Sequence, residues 1–192
     1  MKFKNFFLTI IFSITVFTFQ ANSQEQILKL IENSWNDTRT MSGSFTQINS
    51  DQSTTYGDFF ISKPFNSKFI YKNDDIIITN KSLITIVDQD GYKIDSYPIF
   101  NSPLRFFLTS EIDFGNLNLS FKVTEKDNIY LLSASELNND KKVYFSFHKE
   151  SLELKKWEII DEFSQSTVLE FTKIKKNISI SPDTYAIKYK RS

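Results

Sequence analysis

The chain has 192 residues, 40% of them hydrophobic, 24% charged and 16% aromatic, with a formal net charge of zero, 1 His and no Cys. Such a chain is too apolar for disorder and too polar for a polytopic membrane protein. The lack of Cys excludes disulfides, thiol catalysis, zinc–thiolate and iron–sulfur sites and a lipidated N-terminal Cys. The single His argues against a His metal site or triad, and the balanced charge implies no nucleic acid.

Lys2 and Lys4 precede an uncharged run of 14 residues, Phe6 to Phe19, which ends before Ala21-Asn22-Ser23. The run is shorter than the ~20 residues a membrane-spanning helix needs, and small residues follow it. This pattern predicts a secretory signal peptide over residues 1–23 and an exported protein, most simply periplasmic, with one domain over residues 24–192.

From Glu25 to about Thr38 the spacing predicts an amphipathic helix, with Ile27, Leu30, Ile31 and Trp35 on one face and Glu25, Lys29, Glu32 and Asn36 on others. The period then changes to two. Ser44–Ile48, Asp58–Ile61, Lys68–Tyr71, Asp75–Thr79, Leu83–Asp88 and Tyr92–Ser96 read as short strands separated by turn residues such as Asn73-Asp74 and Asp90-Gly91. Ser102 as cap, Pro103 in the first turn, and Leu104, Phe107 and Leu108 at helical spacing predict a short helix. Strands resume at Leu119–Thr124, Ile129–Ser135, Val143–His148, Leu154–Asp161 and Thr167–Ile174, with turns at Asp127-Asn128, Asn138-Asn139-Asp140 and Glu150-Ser151. A last extended piece, Tyr185–Tyr189, follows Pro182.

Short strands joined by hairpins, without βαβ alternation, predict an antiparallel sheet. The fold class expected is mainly β with minor α: an incomplete, unclosed barrel of about eleven strands, with a helical lid over an apolar cavity. Phe69, Tyr71, Phe121, Phe145, Phe147 and Trp157 sit at positions that a curved sheet turns inward. They either fill a core or line a lipid-binding chamber, and periodicity does not separate the two.

Catalytic patterns are missing. Glu111 and Asp113 have no adjacent His, His148 closes a strand, and neither a G-x-S-x-G elbow nor a phosphate loop occurs. No metal or cofactor is expected. Lys173, Lys175 and Lys176 read as a solvated strand rim.

The run Ser42-Gly43-Ser44-Phe45-Thr46-Gln47, followed by Gly57-Asp58-Phe59-Phe60-Ile61-Ser62-Lys63-Pro64 and Lys68-Phe69-Ile70-Tyr71, resembles the periplasmic outer-membrane lipoprotein carrier family, LolA. The resemblance covers essentially all of residues 24–192 and is strongest over 25–110. Three positions depart from the family pattern: Lys63 stands where Arg is common, Ser67 where many members carry an aromatic or Leu, and Asn80-Lys81 in place of an Asp-Gly turn.

The resemblance implies a monomeric carrier and not an enzyme. Such a carrier takes acylated lipoproteins from an ATP-driven inner-membrane releasing transporter, shields their acyl chains, and passes them to an outer-membrane receptor. It also implies that Lys63 ties barrel to lid, and Pro103, Leu104 and Phe107 are the lid residues within its expected reach. An envelope lipid-sensing or regulatory module on the same scaffold is the alternative.

Overall fold

The computed structural model describes residues 23–99, 108–115, 119–136, 142–160 and 163–189. The expected signal peptide up to residue 22, the Asn138-Asn139-Asp140 turn and most of the Ser102–Leu108 helix, including Pro103, Leu104 and Phe107, lie outside the described residues.

Helix α1 (23–36) opens the description. It is followed by β1 (Thr40–Ile48), β2 (Thr54–Ser62), β3 (Asn66–Tyr71), β4 (Ile76–Asn80), β5 (Leu83–Val87), β6 (Lys93–Pro98), β7 (Leu119–Lys126), β8 (Ile129–Glu136), β9 (Lys142–His148), β10 (Leu154–Ile160) and β11 (Ser166–Lys176). All eleven form one antiparallel sheet in the order β6-β5-β4-β3-β2-β1-β11-β10-β9-β8-β7. β6 and β7 are never paired with each other, so the barrel is unclosed, as the strand pattern predicts. The chain must therefore travel from one free edge to the other between Pro98 and Leu119, and this crossing carries the segment 108–115.

Period-two alternation survives in the burial. Phe45, Phe59, Phe69, Val123, Leu132, Phe145, Phe147, Trp157, Leu169 and Phe171 all enter one core. At ~25 cal/mol per Å² of apolar surface, this aromatic interior is the main stabilising term. The ring packing is edge-to-face at Phe45–Tyr71 (4.9 Å) and Phe59–Phe171 (5.2 Å).

Two glycines make room for these rings. In the β1–β2 ladder Gly43 faces Phe59 and Gly57 faces Phe45, a reciprocal exchange of small for large. A Cβ on Gly43 would sit 2.9 Å from the Phe59 ring, and one on Gly57 would sit 2.6 Å from the Phe45 ring and 2.2 Å from the Ile70 carbonyl oxygen. Each ring covers the bare backbone of its partner strand, and this lets the two strands curve tightly.

The structure corrects three local expectations. β1 begins at Thr40, not Ser44, because Met41 and Ser42 are paired on both sides, with Ile61 and Phe60 of β2 and Lys176 and Lys175 of β11. On α1, Leu30 is 50% exposed while Glu32 is 5% exposed. The contact stripe runs through Ile27, Leu28, Ile31 and Trp35, and Glu32 lies at its flank. The C-terminal piece is not a strand. Ser181 caps a 3-10 turn over Pro182–Tyr185, and only a single parallel bridge, Tyr92 to Lys188, follows. Proline presets the turn and has no N–H to donate to a ladder. Tyr185 instead packs on Ile78 and Val87 on the outer side of the sheet, and its hydroxyl lies 2.7 Å from Ser62 Oγ.

Candidate functional site

The mouth of the barrel lies where β1, β2, β10 and β11 meet α1 and the crossing segment. An apolar crevice there is lined by Trp35, Met41, Phe59, Ile61, Leu108, Leu154, Trp157, Phe171 and Ile174. Its interior leaves ≈ 10 Å³ for the centre of a water-sized sphere, room for about one water molecule. At this crevice the described residues pack closely, and an acyl chain enters here only if covering elements move.

Of the six aromatic residues singled out from sequence, Trp157 lines the crevice. Phe69, Phe145 and Phe147 are buried in the core around it, and Tyr71 and Phe121 pack on the core while partly buried. Tyr71 donates its phenol to Gln47 Oε1 at 2.8 Å, and burial raises its pKa to about 12. The remaining crevice residues escaped the strand pattern for different reasons. Phe59 and Ile61 sit within the motif strand but carry no mark that separates crevice from core, and Trp35 reads as an ordinary helix core residue.

Two elements cover the mouth, and polar bonds stitch them together. The Asn36 side chain donates to the Ile112 carbonyl and accepts from the Ile112 N–H, both at 2.8 Å, so its amide stands in for a strand partner. The buried Glu32 accepts from the Phe114 N–H at 3.0 Å and pairs with Lys29. Leu108 and Ile112 then drop into the core beside Trp35. On the other side, the Phe65 N–H donates to the Leu108 carbonyl at 2.6 Å.

Lys63 stands at the β2–β3 turn. Its ammonium donates to the carbonyl of Trp35 in the last turn of α1 and lies 5.2 Å from the centre of the Trp35 ring. The contact made is with α1, whereas Pro103, Leu104 and Phe107 of the expected target lie outside the described residues. Two effects oppose each other at this ammonium. Burial, helped by Arg39, lowers its pKa from 10.5 to about 8, against the pull of Asp37 and Glu111. The carbonyl, the ring face and the negative end of the helix dipole favour the charged form.

A pH dependence follows. With the folded pKa below the unfolded one, the folded state binds fewer protons between about pH 8 and pH 10.5. Lys63 therefore adds stability as pH rises through that window, and this contribution is lost below about pH 8. Denaturant unfolding of the parent and of Lys63→Met at about pH 7 and about pH 9.5 should show the parent gaining relative to the variant at the higher pH. A difference that does not change with pH would show that Lys63 keeps its ordinary pKa. Tyr71 does not confuse the comparison, because its raised pKa acts only above pH 10.

Glu111 is exposed and 4.0 Å from Arg39, while Asp113 accepts from the Gly115 N–H at 2.9 Å. Among the described residues no group of three or more His, Asp or Glu side chains comes together as a metal site, and no helix is long and apolar enough to cross a membrane.

An uncharacterised protein of Rickettsia prowazekii (strain Madrid E) is 24% identical over 188 residues, 96% of this chain and 87% of that protein. The putative outer membrane lipoprotein-sorting protein domain of Vibrio parahaemolyticus superposes with a TM-score of 0.44 at 10% identity, over 86% of this chain and 97% of that one. The Pseudomonas aeruginosa MucA/MucB complex gives 0.42 at 9% identity over 81% of this chain, which spans 58% of the matched chain. The family described as outer membrane lipoprotein carrier protein LolA matches residues 36–188, and the chain belongs to it.

Proposed function

We propose that the protein is a periplasmic carrier that takes acylated lipoproteins released from the inner membrane, shields their acyl chains between sheet and lid, and delivers them to an outer-membrane receptor. One observation carries the reading beyond family membership: an aromatic interior lies under a cover in which a handful of polar bonds supplements the apolar packing of Ile31, Leu108 and Ile112. A protein with no cargo would gain by sealing such an interior with apolar packing alone.

The energetics suit the task. An acyl chain leaving a membrane gives up ~0.8 kcal/mol per CH₂, so a chain of about a dozen carbons resists desorption by roughly 10 kcal/mol. The carrier must match most of that and still let go. Displacing the bonds of Asn36, Glu32 and Lys63 costs a few kcal/mol, and their re-formation helps to expel cargo at the acceptor. Phe69, Tyr71, Phe121, Phe145, Phe147 and Trp157 provide the apolar wall in the open state, and Lys63 is a latch on α1.

The direct test is to express the protein with its native partners, purify it, and identify bound material by mass spectrometry. Acylated lipoproteins are the expected cargo. Recovery without any acylated molecule, together with failure to extract lipoproteins from energised inner-membrane vesicles, would overturn the reading. In the same transfer assay Lys63→Leu should deliver more slowly, because Leu can neither donate to the Trp35 carbonyl nor place a cation over its ring. Lys63→Arg should deliver about as the parent does. Equal rates for Lys63→Leu and parent would reduce Lys63 to a turn residue.

A further inference from the structure

The ladder register lays out one row of positions across half of the sheet. Met41 faces Ile61, Ile61 faces Ser67, Ser67 faces Thr79, and Thr79 faces Ile84. The row points inward: Phe69 and Ile77, each two residues from a member of the row on its own strand, belong to the main core. Met41, Ile61 and Ile84 are the apolar residues such a row calls for. Ser67 and Thr79 are not. Both are 0% exposed, and among the described residues neither hydroxyl has a hydrogen-bond partner.

Native interiors seldom leave a hydroxyl buried and unpaired, and two such groups side by side are harder still to account for by packing. Ala and Val would fill the same space without the desolvation cost. The position of the pair is informative. The row starts in the crevice, which Met41 and Ile61 line. Ser67 follows directly on the turn where the Phe65 N–H meets the Leu108 carbonyl, so the pair sits at the covered, mouth-side end of β3.

We propose that Ser67 and Thr79 receive the carbonyl oxygen of an acyl ester, which makes the interior selective for esterified acyl chains over plain hydrocarbon. The proposal rests on the acyl-carrier reading above and deepens it. Directly opposed residues on neighbouring antiparallel strands hold their Cβ atoms about 4.5–5.5 Å apart. Each hydroxyl has one hydrogen to donate, and a carbonyl oxygen has two lone pairs to accept them. The ester therefore sits near the mouth, while its tail runs past Ile61 and Met41 into the crevice.

The test uses displacement of the neutral fluorophore N-phenyl-1-naphthylamine by two competitors, the methyl ester of dodecanoic acid and the hydrocarbon of equal chain length. The parent should bind the ester roughly tenfold more tightly than the hydrocarbon, the size expected of one to two hydrogen bonds. In the double variant Ser67→Ala, Thr79→Val the two affinities should converge through loss of ester binding alone. That variant should fold at least as stably as the parent, since it removes only unpaired polar groups. If the parent binds both competitors equally, or the variant keeps the preference, the hydroxyl assignment is overturned while the carrier reading stands. If the parent binds neither competitor, the carrier reading fails, and the assignment fails with it.

Discussion

Gly57→Ala is expected to destabilise the protein by about 3 kcal/mol or more, at the upper end of overpacking costs. The added methyl would lie 2.2 Å from the Ile70 carbonyl oxygen and 2.6 Å from the Phe45 ring. The ring cannot swing away freely, because it packs edge-on against Phe69 at 5.4 Å and Tyr71 at 4.9 Å. The carbonyl belongs to β3, paired on both sides with β2 and β4, so moving it disturbs two ladders. Gly91→Ala is the natural comparison. Gly91 has φ +84 but nothing within 4 Å of a Cβ, so its cost is conformational only, about 1 kcal/mol. Urea unfolding of both variants measures the contrast. Equal, small losses would mean that the sheet yields locally and that the reciprocal glycine–phenylalanine exchange does not hold β1 against β2.

Asn36→Leu should loosen the lid without unfolding the barrel. The variant leaves the Ile112 N–H and carbonyl without their side-chain partner at a half-buried site, a loss of about 2 kcal/mol for the docking of segment 108–115. If the closed form dominates in the parent, that shift raises the share of binding-competent molecules. An apolar fluorophore should then bind up to about 30-fold more tightly. Amide hydrogen exchange should accelerate in α1 and in 108–115 and stay slow in β1 and β11. Ser44→Ala, which removes a bond to Asp58 on the exposed face, should change neither quantity. Unchanged exchange and unchanged affinity in Asn36→Leu would show that apolar packing of Leu108 and Ile112 alone holds the cover. The idea of a cover poised to open would then fail.

These effects operate where local pattern and tertiary contact part company. Period-two alternation from Phe45 to Phe171 announced an antiparallel β protein with one N-terminal helix, and the strand bounds agree to within a few residues. That is legible because alternation records which face each residue shows to the core, and this is settled within a strand and its hairpin. The motif around Ser42–Pro64 carried the family for the same reason: its glycines and phenylalanines are cross-strand neighbours only a short hairpin apart.

Partners far along the chain were decided by the tertiary structure. β1 extends back to Thr40 by pairing with β2 and, at Met41 and Ser42, also with β11, more than a hundred positions away, and no local pattern in Thr40–Gly43 foretells the second pairing. Glu32 reads as a solvent residue, yet it is buried because Phe114 brings it an N–H. Leu30 reads as core and is left outside, because the helix turns its stripe towards the sheet at Ile27, Ile31 and Trp35. Lys63 was legible as a long cation on a rigid corner, but that its partner is the end of α1 depends on where two separate elements come to rest. Whether Phe145 and Trp157 enclose a chamber or fill a core is equally a matter of three-dimensional packing. Identical alternation serves both: it makes the two rings cross-strand neighbours in the β9–β10 ladder, and what comes to lie over them depends on elements far along the chain.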